Sequence, residues 1–98
     1  MTFNQGQNGV AGTKYTIWNH TNGLVQYMYG DCGPIAAGSI NPSQSHTEFV
    51  KAGTNTKMSF RGAYGASYCH CAIRTLTGSA DKDEDVIILE YKDFCDHQ

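Results

Sequence analysis

Charge is scarce in this chain. Charged residues make up 16% of its 98 positions, against ~25% in an average soluble domain. The basic ones, among them Lys14, Lys51, Lys57, Arg61 and Arg74, are dispersed along the sequence. A nucleic-acid binder gathers such side chains into a patch that displaces counterions from phosphates. The pattern therefore argues against nucleic acid as a partner. Apolar runs are short as well, and none approaches the ~18 residues that suggest a membrane span. Proline occurs only at Pro34 and Pro42, both in turn-like settings. No apolar spacing of period 3.6 persists, so no helix is expected. There is no internal repeat, and Ser39, Ser43 and Ser45 lack the glycine context of a nucleophile elbow.

Cysteine is present in a telling number. Cys32, Cys69, Cys71 and Cys95 are the four, and two of them flank His70. Residues two apart on a strand point to the same face. Cys69 and Cys71 therefore each need a partner elsewhere, and Cys32 and Cys95 are available. Two crosslinks with no thiol left over are expected, which points to an oxidising, extracellular setting. Four cysteines allow three connectivities. Cys32–Cys71 with Cys69–Cys95 is preferred, because a return of the tail toward the Cys69 strand would leave Cys71 for Cys32. The chain opens Met1-Thr2-Phe3-Asn4-Gln5 without a basic-then-apolar leader. A mature, secreted chain is preferred over a cytosolic one with reduced thiols. Asn19-His20-Thr21 matches a glycosylation sequon, a triplet common enough by chance to add little.

The remaining residues read as one β domain over 1–98. Residues 1–12 are polar and glycine-rich and predict a flexible N-terminal arm. Lys14–His20 and Leu24–Gly30 are β-rich and flank Asn22-Gly23, which predicts a hairpin with a type I′ turn. Its register would set Trp18 opposite Tyr27 and Thr16 opposite Tyr29, making an aromatic face. Asp31–Gly38 predicts a short strand or bulged connection, and 41–44 a turn. A second hairpin is predicted from Thr47–Lys51 and Thr56–Gly62, with Met58 and Phe60 inward. Ser67–Leu76 carries the cysteines and is expected to pair with Val86–Tyr91, whose unbroken apolar character predicts a central strand. Six or seven short strands suggest a small antiparallel β-sandwich or barrel, and its thin core suits disulfide stapling.

Candidate chemistry is sparse. Cys69-His70-Cys71 and Cys95-Asp96-His97 hold zinc-ligand residue types, but paired zinc cysteines usually sit two to four residues apart, so no metal or other cofactor is expected. Asp81-Lys82-Asp83-Glu84-Asp85 starts like a calcium loop, yet the sixth and twelfth positions are Val86 and Lys92, where the geometry needs Gly and Glu. A solvated acidic loop is the better reading. His46, Glu48 and Arg61 would form an acid–base cluster of the kind small ribonucleases use, if their strands paired. An ordinary charged outer face is preferred, so no catalytic residue is assigned and the chain is not read as an enzyme. Most aromatic residues are expected in the core or at its rim. Trp18, Tyr27 and Tyr29 are the candidates for a binding or dimer surface, since large rings with polar tips favour contacts.

With its size, low charge, Gly/Asn/Thr richness and Cys32, Cys69, Cys71 and Cys95, the chain resembles small secreted cysteine-containing fungal proteins, the class that includes elicitors and effectors. That resemblance implies action by binding a host or cell-surface partner, without catalysis, and it transfers no site residues. A homodimer with a protein or glycan partner is expected. A small-molecule or glycan-binding module and a small secreted hydrolase or ribonuclease are the alternatives.

Overall fold

A computed structural model describes residues 9–62 and 71–94 of the chain. The described residues are all-β, with no α-helix among them. Seven strands run β1 (Gly12–Asn19), β2 (Val25–Tyr29), β3 (Gly38–Ile40), β4 (Ser45–Lys51), β5 (Asn55–Gly62), β6 (Ala72–Thr77) and β7 (Glu84–Leu89). They form a three-stranded sheet in the order β4-β1-β7 and a four-stranded sheet in the order β3-β2-β5-β6. The sheets close on one core. Tyr15, Ile17, Val50 and Leu89 enter it from the first sheet, and Val25, Met58, Phe60 and Leu76 from the second. Alternation of side chains along each strand sends one row inward and leaves the other outside. Burying Phe60 and Ile17 completely stabilises the fold by about 1.5–3 kcal/mol each.

The chain changes sheet more often than its turns suggest. The expected hairpin of Lys14–His20 with Leu24–Gly30 does not form, because β1 and β2 lie in different sheets. Neither Asn22 nor Gly23 has the positive φ that a type I′ turn requires. Asn19 drives the crossing instead. Its buried side-chain amide donates to Ile40 O at 2.8 Å and to Gly23 O at 2.9 Å. Its Oδ1 accepts from the Thr21 amide at 2.9 Å and from the Thr21 hydroxyl at 2.6 Å. This net bends the chain across the gap.

The second expected hairpin, Thr47–Lys51 with Thr56–Gly62, is also corrected. Its strands exist, with Met58 and Phe60 fully buried, but β4 and β5 belong to opposite sheets. Gly53, at φ 84°, takes the third position of a type II turn closed by Thr54 N–H to Lys51 O at 3.0 Å. Gly78 packs against that turn so closely that a Cβ there would lie 2.1 Å from Lys51 O.

The cysteine strand does not pair with the late apolar strand. β6 pairs with β5, and β7 pairs in parallel with β1. Thr13 accounts for this. Its buried hydroxyl donates to Lys82 O at 2.7 Å and accepts the Ser79 amide at 3.0 Å, pinning the intervening loop onto β1 so that β7 enters beside it. The apolar Val86–Tyr91 run is therefore not central. It supplies the edge strand of its sheet, and β1 occupies the centre. The faces of β6 divide as its alternation requires. Ala72 and Leu76 point inward, and Ile73 is exposed.

Residues 30–37 strap across the outside of the four-stranded sheet. Arg61 holds them through Gly33 O at 2.7 Å and Pro34 O at 3.2 Å. Ser59 reaches Gly30 O, and Lys57 pairs with Asp31. The strap buries Met28 from outside. Cys32–Cys71 fastens it, with Cα atoms 6.5 Å apart and the partners 39 positions apart in sequence. A loop of that length corresponds to about 4 kcal/mol in the chain-entropy model. The expected Cys69–Cys95 pair and residues 1–8 of the arm lie outside the described residues. On the far side, Arg74 donates to Asp93 Oδ1 at 3.1 Å, and Asp93 Oδ2 accepts the Glu90 amide at 2.7 Å. This clasp joins β6 to the 3-10 turn Tyr91–Asp93 that follows β7, above the fully buried Phe94.

Candidate interaction surface

The outward face of the three-stranded sheet is built from three registered rows. On β1 the outward residues are Gly12, Lys14, Thr16 and Trp18. Thr16 and Trp18 lie opposite Val86 and Ile88 of β7, and opposite Thr47 and Ser45 of β4. Trp18, the chain's one tryptophan, is 36% exposed, Ile88 47% and Val86 55%. They are neighbours in the sheet, so the exposure is one apolar strip. Lys14 and Glu84 end the strip at 3.8 Å from each other. The Phe49 ring lies over Gly12, where a Cβ would approach its Cζ to 2.3 Å, and this contact keeps Phe49 half-buried.

The strip ends at a sheet edge. Among the described residues, β7 pairs only with β1. Lys14 N–H donates to Asp83 O and His20 N–H to Leu89 O, both at 2.8 Å. Alternation then directs the backbone groups of Asp85, Ile87 and Leu89 toward β1, and those of Glu84, Val86 and Ile88 away from it. Asp85 covers part of this edge. Its Oδ1 accepts the Val86 amide at 2.8 Å, and its Oδ2 pairs with Lys82 at 2.9 Å. Those contacts, Lys82 first, hold the Asp85 carboxyl below its ordinary range.

Tyr27 and Tyr29 do not share a face with Trp18. They point from β2 into the gap between the sheets, where β4 presents His46 and Glu48. The rings of Tyr27 and His46 stack with centroids 4.3 Å apart, and Tyr27 and Tyr29 meet edge-on at 6.1 Å. Glu48 Oε1 accepts from the Tyr29 hydroxyl at 2.7 Å and lies 2.9 Å from His46 Nε2. Partial desolvation, then the Glu48 contact, pushes the Tyr29 phenol well above its ordinary range. The His46/Glu48/Arg61 set is not assembled. Arg61 lies on the other side of the second sheet, bonded to Gln26 Oε1 at 2.8 Å and to the strap. His46 and Glu48 are committed to each other and to the tyrosines, and they serve as a polar lock between sheets.

Two further features complete the surface. A shallow cleft of about 440 Å³ is lined by His20, Thr21, Asn22 and Tyr91, and the His20 ring meets Trp18 edge-on at 6.3 Å. The acidic loop forms no metal cluster: among the described residues no group of three His, Cys, Asp or Glu side chains converges. No helix among them is long and apolar enough to cross a membrane.

Sequence reasoning named Trp18 but missed Val86 and Ile88, because an unbroken apolar run resembles a buried strand. The acidic residues on both sides of Val86–Leu89, Asp81, Asp83, Glu84 and Asp85 before it and Glu90 after, were the available sign of an edge, since charge at such positions limits unwanted pairing.

No family model, curated protein or solved structure matches this chain. What fold and surface define is a class: a small disulfide-stapled β-sandwich with one apolar sheet face open to solvent.

Proposed function

We propose that this is an extracellular, non-catalytic interaction protein of elicitor or effector type, which engages a host protein through the Trp18–Ile88–Val86 strip. The observation that carries the reading is the adjacency of these three exposed side chains on one flat sheet face. Contiguous apolar exposure of this kind marks contact surfaces, and an aromatic anchor supplies much of the energy where one is present. The crosslink between Cys32 and Cys71 supports an oxidising setting.

The test uses labelled protein on intact plant cells, beside Trp18→Ser. Saturable binding that falls at least about tenfold in the variant, and disappears after protease treatment of the cell surface, supports the reading. Equal binding by both proteins would overturn it.

A second reading has its own observation. The cleft beside Trp18 combines the Tyr91 ring with His20 and Asn22, a set able to stack on a sugar and hydrogen-bond its hydroxyls. Its volume falls within the ~300–1,000 Å³ common for small-ligand sites. Glycan-array binding lost in Tyr91→Ala and kept in Val86→Ser would favour it over the protein partner.

A further inference from the structure

The edge of β7 is not uniformly closed. Walking along it, the Val86 amide is taken by the Asp85 carboxylate and the Glu90 amide by the Asp93 carboxylate. Between these two caps lies Ile88. Both of its backbone groups point away from β1, and no described residue bonds either one. Among the described residues, Ile88 is thus the one position between the caps whose donor and acceptor both face outward without a partner. A residue of that kind is what an antiparallel hydrogen-bonded pair needs, because the two partners exchange both bonds.

We propose that a second copy of this chain occupies the edge, by antiparallel pairing of β7 with β7 about a two-fold axis at Ile88. The requirement is self-complementary: Ile88 offers one donor and one acceptor, and Ile88 of another copy offers the same. A two-fold contact must match a patch to itself in this way. The register brings Ile87 opposite Leu89, so the paired part of the strand stays within its apolar stretch. Moving the axis to Ile87 would instead set Glu84 opposite Glu90, an unfavourable like-charge pair.

The pairing keeps both outward faces on one side. A six-stranded sheet results, and the strip runs Trp18–Ile88 and then on through Ile88 and Trp18 of the second copy. With strands about 4.8 Å apart, the two Trp18 positions stand roughly 14 Å from each other. The dimer therefore doubles the contact face, and it rests on the reading of that face as an interaction surface.

The test is light scattering coupled to size exclusion, from low to high micromolar protein, with amide exchange followed in parallel. The expected result is a species of twice the 10.7 kDa chain mass and an Ile88 amide whose protection rises with concentration. Ile88→Pro removes the outward N–H without touching the β1 ladder, a change that edge strands accept. Ile88→Lys keeps the N–H and adds charge. Each should weaken dimerisation by at least about tenfold while leaving the far-ultraviolet spectrum and the unfolding midpoint of the monomer in place. A wild type that stays monomeric throughout overturns the proposal, as does a dimer insensitive to Ile88→Lys. A monomer that still shows Trp18-dependent binding to cells would reject the dimer and leave the interaction reading standing.

Discussion

The imidazole of His46 stacks on the ring of Tyr27 with centroids 4.3 Å apart and planes 28° from parallel, although the two residues belong to different sheets. The Tyr27 ring also passes close to the backbone of Gly38, where a Cβ would meet the ring and its hydroxyl oxygen at 2.4–2.8 Å. Glycine at 38 is therefore a packing requirement, and its φ is not left-handed. Gly38→Ala is expected to cost about 1–3 kcal/mol, as overpacking does. Gly33→Ala, with nothing within 4 Å of its Cβ, should be near neutral. Thermal unfolding of the two variants checks the contrast.

The Tyr29–Glu48 contact gives a prediction at alkaline pH. The folded phenol is raised above its ordinary value of 10.0, so its neutral, donating form is the one the fold favours. The stabilisation is complete below the unfolded tyrosine value and is lost as pH rises through the higher folded value. In a spectrophotometric titration, one of the six tyrosines should ionise later than an exposed phenol. Glu48→Gln removes the carboxylate and should bring that step back toward the ordinary range. A titration unchanged by Glu48→Gln would show that the contact is absent in solution.

Asp85 guards the free edge. With Lys82 and the Val86 amide holding its carboxyl below the usual range, its contribution is present above the unfolded value of 3.8 and lost as pH falls through the folded one. Asp85→Ala should uncover the Val86 amide at neutral pH and strengthen pairing at this edge, because an uncapped apolar edge recruits another strand more readily. Light scattering should show self-association at lower protein concentration for the variant at pH 7, and for the wild type only once the solution is acid enough to protonate Asp85.

The Asn19-His20-Thr21 triplet should carry no glycan in the folded protein. The Asn19 side chain is fully buried, and its amide already donates to Gly23 O and Ile40 O. Expression in a glycosylating host is expected to yield folded protein with no added mass at Asn19. Asn19→Ala leaves those carbonyls without their donor, at about 1–3 kcal/mol for each buried group left unsatisfied. A lowered unfolding midpoint with no mass change beyond that of the substitution itself would identify the residue as structural.

How much of this was legible in the sequence follows from the range of each cause. Alternation in Thr56–Gly62 marks a half-buried strand, and Met58 and Phe60 do enter the core. Counting thiols left three connectivities open, and Cys32–Cys71 was preferred on a pairing of Ser67–Leu76 with Val86–Tyr91; the link is present although that pairing is not. Pairing was not legible, because Asn22-Gly23 reads as a hairpin only until Asn19 is known to reach Ile40, a residue from another strand. The same limit applies to the interface set. Tyr27 was placed beside Trp18 on the strength of that turn, and the structure puts it in the gap against His46. Val86 and Ile88 were hidden by their own apolarity, which suits a buried strand and an exposed contact strip equally.

The central strand β1 borders β7 with Lys14 next to Glu84, a parallel pairing across 70 positions of sequence. The four-stranded sheet is built within residues 25–77 and needs no strand from either side of that span. Until β7 returns, one flank of β1 stays open, and such non-local pairing is slow and leaves exposed strands vulnerable to misassembly. Folding of this protein therefore has a late commitment point, and chains cut before β7 should be its most chaperone-dependent form.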